Sequence, residues 1–402
     1  MKILQVNSVC GVGSTGRIAT DLHSVLIGNE NESIVAFGRG KAISCSNTIK
    51  ISHNVNLFFD LLGTRIFDLH GRFSKFVTKN FIKNIKKLNP DIIHLHNIHG
   101  YYVNYELLFT FLKQFNRPIV WTFHDCWPFT GHCVYFDYVK CSKWEKYCFE
   151  CTLKNNYPKS ILFDNSFSNF KNKKESFTGV NNLTIVTPSL WLKKLVKKSF
   201  LADYDVEVIN NGVDVDVFKP TQNSLREKYG IKNKFIVLGV ASVWEKRKGL
   251  DYFLELSKRL SDQFQIIIVG VNKKQNEIIP SNIIKICKTN NVSELAQIYS
   301  AADVFVNPTL EDNFPTTNIE SLACGTPVIT FNTGGSPEAL NQYCGAVVEK
   351  GNIESLMDCI EGFKKTGKAI YTKNCRNHAL AFFDKKDRYS DYLDLYKKII
   401  KK

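Results

Sequence analysis

A chain of 402 residues is long for one core and points to two domains of about 200 residues each. Its net charge of +15 suits nucleic acid, an anionic membrane surface or an anionic substrate. No apolar run reaches the ~18 residues that a membrane-spanning helix needs, and the opening MKILQVNSVC reads as a strand rather than a signal peptide, so twelve cysteines are expected to be reduced thiols in a cytoplasmic protein.

In chain order, a strand over 2–6 runs into Gly11-x-Gly13-x-x-Gly16 and a helix around Ile18–Leu26. Glycines there let backbone N–H groups approach an anion. The same context is that of a dinucleotide fingerprint, so an NAD(P)-dependent oxidoreductase using Gly11, Gly13 and Gly16 is the alternative reading. Against it, the second strand (33–37) ends in Gly38-Arg39 with no acid. Residues 54–88 form a basic, aromatic helical region suited to docking on anionic lipid. Strands over 91–97 and 118–125 flank a helix over 104–115. His124 stands at the carboxyl edge of the second of them, where such sheets bind ligands. His94, His96 and His99 are read as cleft lining or packing rather than metal ligands. An insertion over 126–157 carries Cys133, Cys141, Cys148 and Cys151. Four thiols within nineteen residues, ending in Cys-x2-Cys, can close a structural zinc site; free thiols are the other reading. A strand over 183–189, a basic amphipathic helix from Ser189 to Phe200 and a strand and turn over 206–220 follow.

Residues 221–234 read as a connection, after which the alternation restarts with strands at 235–242, 265–270 and 282–287 and helices at 249–260 and 293–300. Strands alternating with helices mark two open parallel sheets. Arg247 and Lys248 precede the first of these helices. Cations at a helix N-terminus can stabilise a departing diphosphate, since negative charge grows on the leaving oxygen. A strand over 303–307 then stops at Pro308. The next loop holds Glu311, Asp312, Asn313 and Phe314. Pro315 opens a helix that carries Glu320, and a strand over 327–331 ends at Gly334-Gly335. A helix N-terminus attracts phosphate, and carboxylates beside it accept hydrogen bonds from sugar hydroxyls. Together they describe a nucleotide-sugar pocket.

Asp312, seven residues, Glu320, then Ala323-Cys324-Gly325-Thr326-Pro327-Val328 and Gly334-Gly335 resemble the donor-site motif of retaining glycosyltransferases of the GT-B fold, family 4 (glycosyl transferases group 1). Asn211-Gly212-Val213-Asp214 matches a hinge signature of the same family, so Asp214-Val215-Asp216 is read as structural. The resemblance implies an α/β, GT-B architecture of two Rossmann-like, doubly wound domains facing a cleft. It places an acceptor-side domain over 1–218 and a donor domain over 219–383, with a terminal helix over 384–402 crossing back. It implies that Lys248 and Arg247 hold the diphosphate and that Glu320 holds the ribose. Asp312 or Glu311 orients the sugar, because the family's first Glu is Asp here with Glu311 one place upstream. Thr316 or Thr317 serves at the helix start, where Pro315 replaces a glycine. Gly13, Gly16, Asn313, Phe314, Gly334 and Gly335 complete the donor site, and His124 contacts the sugar. The implied reaction moves a sugar from a nucleotide-diphosphate sugar to a lipid-linked glycan in bacterial surface polysaccharide synthesis. No catalytic metal is needed. The partners implied are the inner face of an anionic membrane and no nucleic acid; no helix-turn-helix, RNA-binding or zinc-finger pattern speaks for the latter.

Overall fold

The computed structural model describes residues 1–401. Contacts divide the chain into two compact units, Met1–Asn210 joined by the segment from Tyr389 onward, and Asn211–Arg388. The domain boundary expected after residue 218 falls after Asn210 by contacts.

The first unit runs β1 (Lys2–Asn7), α1 (Gly13–Gly28), β2 (Glu32–Phe37), β3 (Thr48–Lys50), α2 (Asn54–Phe67), α3 (Lys75–Leu88), β4 (Ile92–Leu95), α4 (Tyr105–Leu112), β5 (Ile119–Thr122), α5 (Ser166–Phe177), β6 (Leu183–Thr187), α6 (Leu190–Val196) and β7 (Asp205–Val208). Its strands form one 7-stranded sheet in the order β3-β2-β1-β4-β5-β6-β7. Every pairing is parallel. Such a sheet is covered on both faces, which is why β4 and β5 are buried at every position rather than at alternate ones.

The helical region over 54–88 is two helices, α2 and α3. Asp68 takes a left-handed conformation with φ 53° and ends α2. Its carboxylate accepts from His132 Nδ1 at 2.5 Å and from the Asn165 backbone at 2.9 Å, so a tertiary tie outweighs helix continuation. Helix α3 buries Val77, Phe81 and Ile85 on one face and turns its lysines outward.

The second unit runs α7 (Leu225–Lys228), β8 (Phe235–Val240), α8 (Leu250–Arg259), β9 (Phe264–Val269), α9 (Lys273–Ile278), β10 (Ile284–Ile286), α10 (Val292–Ala301), β11 (Val304–Asn307), α11 (Thr316–Ala323), β12 (Val328–Phe331), β13 (Gly345–Val348), α12 (Ile353–Thr366) and α13 (Ala369–Phe383). Its 6-stranded sheet has the order β10-β9-β8-β11-β12-β13 and is again wholly parallel. The order reverses at β8–β11, a topological switch point where open α/β sheets bind ligands beyond the strand carboxyl ends.

The last helix, α14 (Lys385–Ile400), brings Tyr389, Tyr392, Leu393 and Tyr396 into a core with Ile3, Ile92, Val120 and Val186 of the first sheet. Two of its phenols are hydrogen-bonded there: Tyr396 Oη to His94 Nδ1 at 2.6 Å and Tyr392 Oη to Thr122 Oγ1 at 3.1 Å. Each such bond contributes about 1 kcal/mol net.

Candidate active site

Two loops meet at the carboxyl ends of β8 and β11. The first leaves β8, makes a short 3-10 turn over Lys246–Lys248 and enters α8 through Gly249 at φ 78°. The second leaves β11 at Pro308. A Cβ on Gly249 would stand 2.1 Å from the Pro308 carbonyl oxygen, so glycine is what lets the loops touch. The backbone N–H of Leu310 donates to the Arg247 carbonyl at 2.7 Å, and Thr309 Oγ1 to the same oxygen at 3.2 Å.

This packing carries charge. Lys248 Nζ is bonded to Asp312 Oδ2, and Arg247 Nη1 reaches the Glu311 carbonyl at 3.4 Å. Burial alone would raise the Asp312 carboxyl, but the charges of Lys248 and Arg247 outweigh it and hold it below the usual carboxylate range. Asp312 Oδ1 also accepts from the Asn313 backbone at 2.9 Å. Glu311, Asn313 and Phe314 are buried beside it. Gly335 N–H donates to the Asp312 carbonyl at 3.2 Å, so the glycine pair after β12 closes against this acid.

Helix α11 starts at Thr316 after Pro315, which makes no side-chain cap, and its half-buried Thr316 and Thr317 form the first turn. Unsatisfied N–H groups of that turn are available to an anion. Glu320, one turn further, is 6% exposed and its Oε2 accepts from Tyr299 Oη of α10 at 3.1 Å. Tyr299 was not marked by the sequence, nor was the Asn307–Asn318–Ser336 chain of side-chain bonds at 2.8 and 3.0 Å that ties β11, α11 and the turn after Gly335. These residues sit on separate elements, and no spacing links them.

The structure therefore gathers Arg247, Lys248, Glu311, Asp312, Asn313, Gly334 and Gly335 in the second unit, with Glu320 on the adjacent helix. His124, Gly13 and Gly16 belong to the first unit. Gly13 opens α1 at φ 66°, and Gly11 N–H donates to the Gly16 carbonyl at 3.1 Å. His124 Nε2 lies 3.1 Å from His96 Nδ1, and burial first of all pushes its pKa down to about 4. It is neutral at pH 7, a hydrogen-bonding group rather than a charge. His94 is spent on Tyr396 and Thr122, and His99 on Asp125 at 2.9 Å and Tyr157 at 3.1 Å. Asp214 pairs with Lys385 at 2.8 Å and Asp216 with Lys386 at 2.9 Å, so this DxD braces its own unit.

Cys133, Cys141, Cys148 and Cys151 line one cavity of about 260 Å³ with His132 and Trp144. All four are free thiols. A hydrogen bond between Cys133 and Cys151 holds Cys151 down to about 7, while burial raises Cys148 to about 12. Among the described residues no three His, Cys, Asp or Glu side chains stand close enough together to hold a metal ion.

The family model "Glycosyltransferase Family 4" matches residues 62–217, and "Glycosyl transferases group 1" matches 234–363. The Escherichia coli K12 protein WcaC, named for colanic acid biosynthesis glycosyl transfer, is 24% identical over 89% of each chain. An Escherichia coli UDP-Gal:alpha-D-GlcNAc-diphosphoundecaprenol alpha-1,3-galactosyltransferase is 28% identical over 50% of this chain and 56% of its own. Anabaena HepE, solved with UDP-glucose, superimposes with a TM-score of 0.68 at 15% identity, covering 99% of this chain and 100% of that one. Nothing in these likenesses supports the oxidoreductase alternative. With both units matched and the two parallel sheets in place, the chain belongs to the glycosyltransferases of the GT-B fold, with a family 4 domain followed by a group 1 domain.

Proposed function

We propose that this glycosyltransferase takes a sugar from a nucleoside-diphosphate sugar and adds it, with retained anomeric configuration, to a lipid-linked glycan during bacterial surface polysaccharide synthesis. The observation that carries the donor half is the Arg247–Lys248–Asp312 cluster at the switch point of the second sheet. Two cations beside a helix start fit a diphosphate, and a buried acid held ionised fits sugar hydroxyls. Glu320, steadied by Tyr299, takes the ribose. His124, neutral, hydrogen-bonds the sugar. The leaving phosphate accepts the proton of the attacking hydroxyl, so no separate base is required. The names of the relatives support the acceptor half: one acts on a diphosphoundecaprenol glycan and one serves colanic acid synthesis. Among the described residues no helix is long and apolar enough to cross a membrane. Peripheral docking on an anionic inner leaflet is thus the proposed route to a lipid-borne substrate.

UDP or GDP is expected to raise the melting temperature. At one hundred times Kd the native state gains about 2.7 kcal/mol. Stabilisation by NADH with none by any nucleoside diphosphate would reject the donor assignment. Retention is tested separately, by the anomeric coupling constant of the product.

The cysteine-lined cavity is proposed to take one structural zinc, held by Cys133, Cys141, Cys148 and Cys151. Four sulfur ligands leave no open position, so such a zinc is not catalytic. Elemental analysis of reduced protein grown with zinc is expected to give about one metal per chain, lost on replacing Cys148. A content near zero leaves these residues as free thiols.

A further inference from the structure

We infer that Gln5 and His96 are positioning residues for His124: a line of buried side-chain hydrogen bonds fixes its ring with the proton on Nε2, so that His124 meets a hydroxyl of the donor sugar as an acceptor, through Nδ1. This deepens the donor reading above and rests on its contact between His124 and the sugar.

Strand register brings the line together. Gln5 of β1 stands opposite His94 of β4, and His94 opposite Val120 of β5. Side chains of a strand alternate between faces, so His96 follows His94, and His124 follows Val120, on one face of the sheet. Ile3, Ile92 and Val120 give that face an apolar core, under Tyr389, Tyr392 and Tyr396 of α14. Toward the strand carboxyl ends, where ligands bind, the face turns polar. Gln5 and His96 are 0% and 1% exposed there. Polar groups buried at such depth must be hydrogen-bonded, and these are.

The direction of each bond follows from what its atoms can do. His124 Nε2 lies 3.1 Å from His96 Nδ1, and His96 Nε2 lies 3.2 Å from Gln5 Oε1. A carbonyl oxygen accepts and never donates, so His96 carries its proton on Nε2. Burial first, then the neighbouring His94 and His124 rings, hold His96 neutral. A neutral imidazole has one N–H, which leaves His96 Nδ1 as an acceptor. His124 Nε2 must then donate to it. His124 is neutral as well, so its Nδ1 is the acceptor of the ring. Whatever His124 meets through Nδ1 has to donate, as a sugar hydroxyl does.

The far side of the line holds the Gln5 amide that way round. Gln5 Nε2 donates to Ser33 Oγ of β2 at 3.3 Å. Ser33 Oγ, accepting there, keeps its own proton for His23 Nδ1 of α1 at 3.0 Å, and His23 Nε2 lies 3.3 Å from Ser46 Oγ. Burial holds His23 toward its neutral form. The bonds therefore run in one sense from His124 through His96, Gln5, Ser33 and His23 to Ser46. Bonds aligned in this way polarise and strengthen one another. Reversing any single one sets two donors or two acceptors face to face, so the line locks the His124 tautomer as a unit. A ring left to exchange tautomers would offer the sugar a donor for part of the time.

Proton–nitrogen correlation spectra of the full chain, isotope-labelled at histidine, report the tautomer of each ring directly. His96→Asn and His124→Gln, each lacking one ring, assign the two signals. In wild type both rings should carry the proton on Nε2. Gln5→Leu strands the His96 Nε2–H against an apolar side chain, so the His124 signal should shift toward the Nδ1–H form. Initial rates are taken with UDP-glucose, or with GDP-mannose if GDP alone stabilises the protein. Gln5→Leu and His96→Phe should each lower kcat/KM by about tenfold. His96→Asn, whose amide oxygen stands near the place of Nδ1, should recover most of that loss. Packing alone predicts the opposite order, because Phe keeps a ring and Asn does not. A wild-type His124 protonated on Nδ1 overturns the inference whatever the variants do. So does an unchanged His124 signal in Gln5→Leu, or faster turnover by His96→Phe than by His96→Asn. Full activity of His124→Ala, with the tautomers as expected, would instead remove the sugar contact from the donor reading.

Discussion

Lys248→Ala is expected to lower kcat/KM by about two orders of magnitude, or ~3 kcal/mol of transition-state stabilisation. The ammonium is placed by a short 3-10 turn and by its bond to Asp312. It does two things there. It keeps the Asp312 carboxyl ionised against the desolvation that would raise it. It also provides a cation that a leaving diphosphate needs more in the transition state than in the ground state, because charge builds on the departing oxygen. Alanine removes both. Arg247 softens the loss without replacing it: its Nη1 sits 3.4 Å from the Glu311 carbonyl, a long bond, and its Nε pairs with Glu245 at 3.0 Å. Arg247→Ala should therefore cost less. Asp312→Asn separates the two functions, since Lys248 remains while the ionised partner goes. If the pair acts as a unit, the double variant will lose far less than the two single losses added. Initial rates with the nucleotide sugar that stabilises the protein decide this. A Lys248→Ala enzyme within about threefold of wild type would remove the lysine from the leaving-group site.

Much of the donor unit is legible because its chemistry is local in sequence. Lys248 precedes a glycine that starts a helix, and Asp312, Glu320 and Gly334-Gly335 fall in one strand–loop–helix–strand run. Period and turn residues suffice to place such groups at one sheet edge. The choice between Glu311 and Asp312 is not legible, since neighbouring residues differ only in which way the loop turns them. The structure bonds Asp312 to Lys248, and Arg247 Nη1 reaches the Glu311 carbonyl. Tyr299 on Glu320 is a contact across 21 residues between two helices, invisible to any pattern. The first unit reads less well for the same reason. Its helical region over 54–88 breaks at Asp68 because of a carboxylate's bonds to His132 and Asn165, far along the chain.

Gly334→Ala is expected to disable transfer more than it destabilises the fold. Gly334 holds φ +57°, and an added Cβ would stand 1.8 Å from the Asp312 carbonyl oxygen. Backbone atoms cannot swing aside as a side-chain tip can, so the loop carrying Asp312 must move. The conformational part of the cost is about 1–2 kcal/mol for a residue with a Cβ in the left-handed region. The displacement adds to it, for a total on the order of 3 kcal/mol, the upper range for a single substitution. Moving that carbonyl breaks the Gly335 N–H bond at 3.2 Å and draws Asp312 away from Lys248. Activity should fall by about a hundredfold, because a displacement near 1 Å in a positioning group costs that much. Gly230→Ala is the control. It has φ +65°, yet nothing lies within 4 Å of its would-be Cβ. That variant should carry the backbone cost alone, about 1–2 kcal/mol, with near-normal turnover. Melting curves and initial rates on the two variants separate strain from displacement. If Gly334→Ala lowers the melting temperature but transfers sugar as fast as Gly230→Ala, the position of Asp312 does not govern the reaction, and Glu311 becomes the acid to examine.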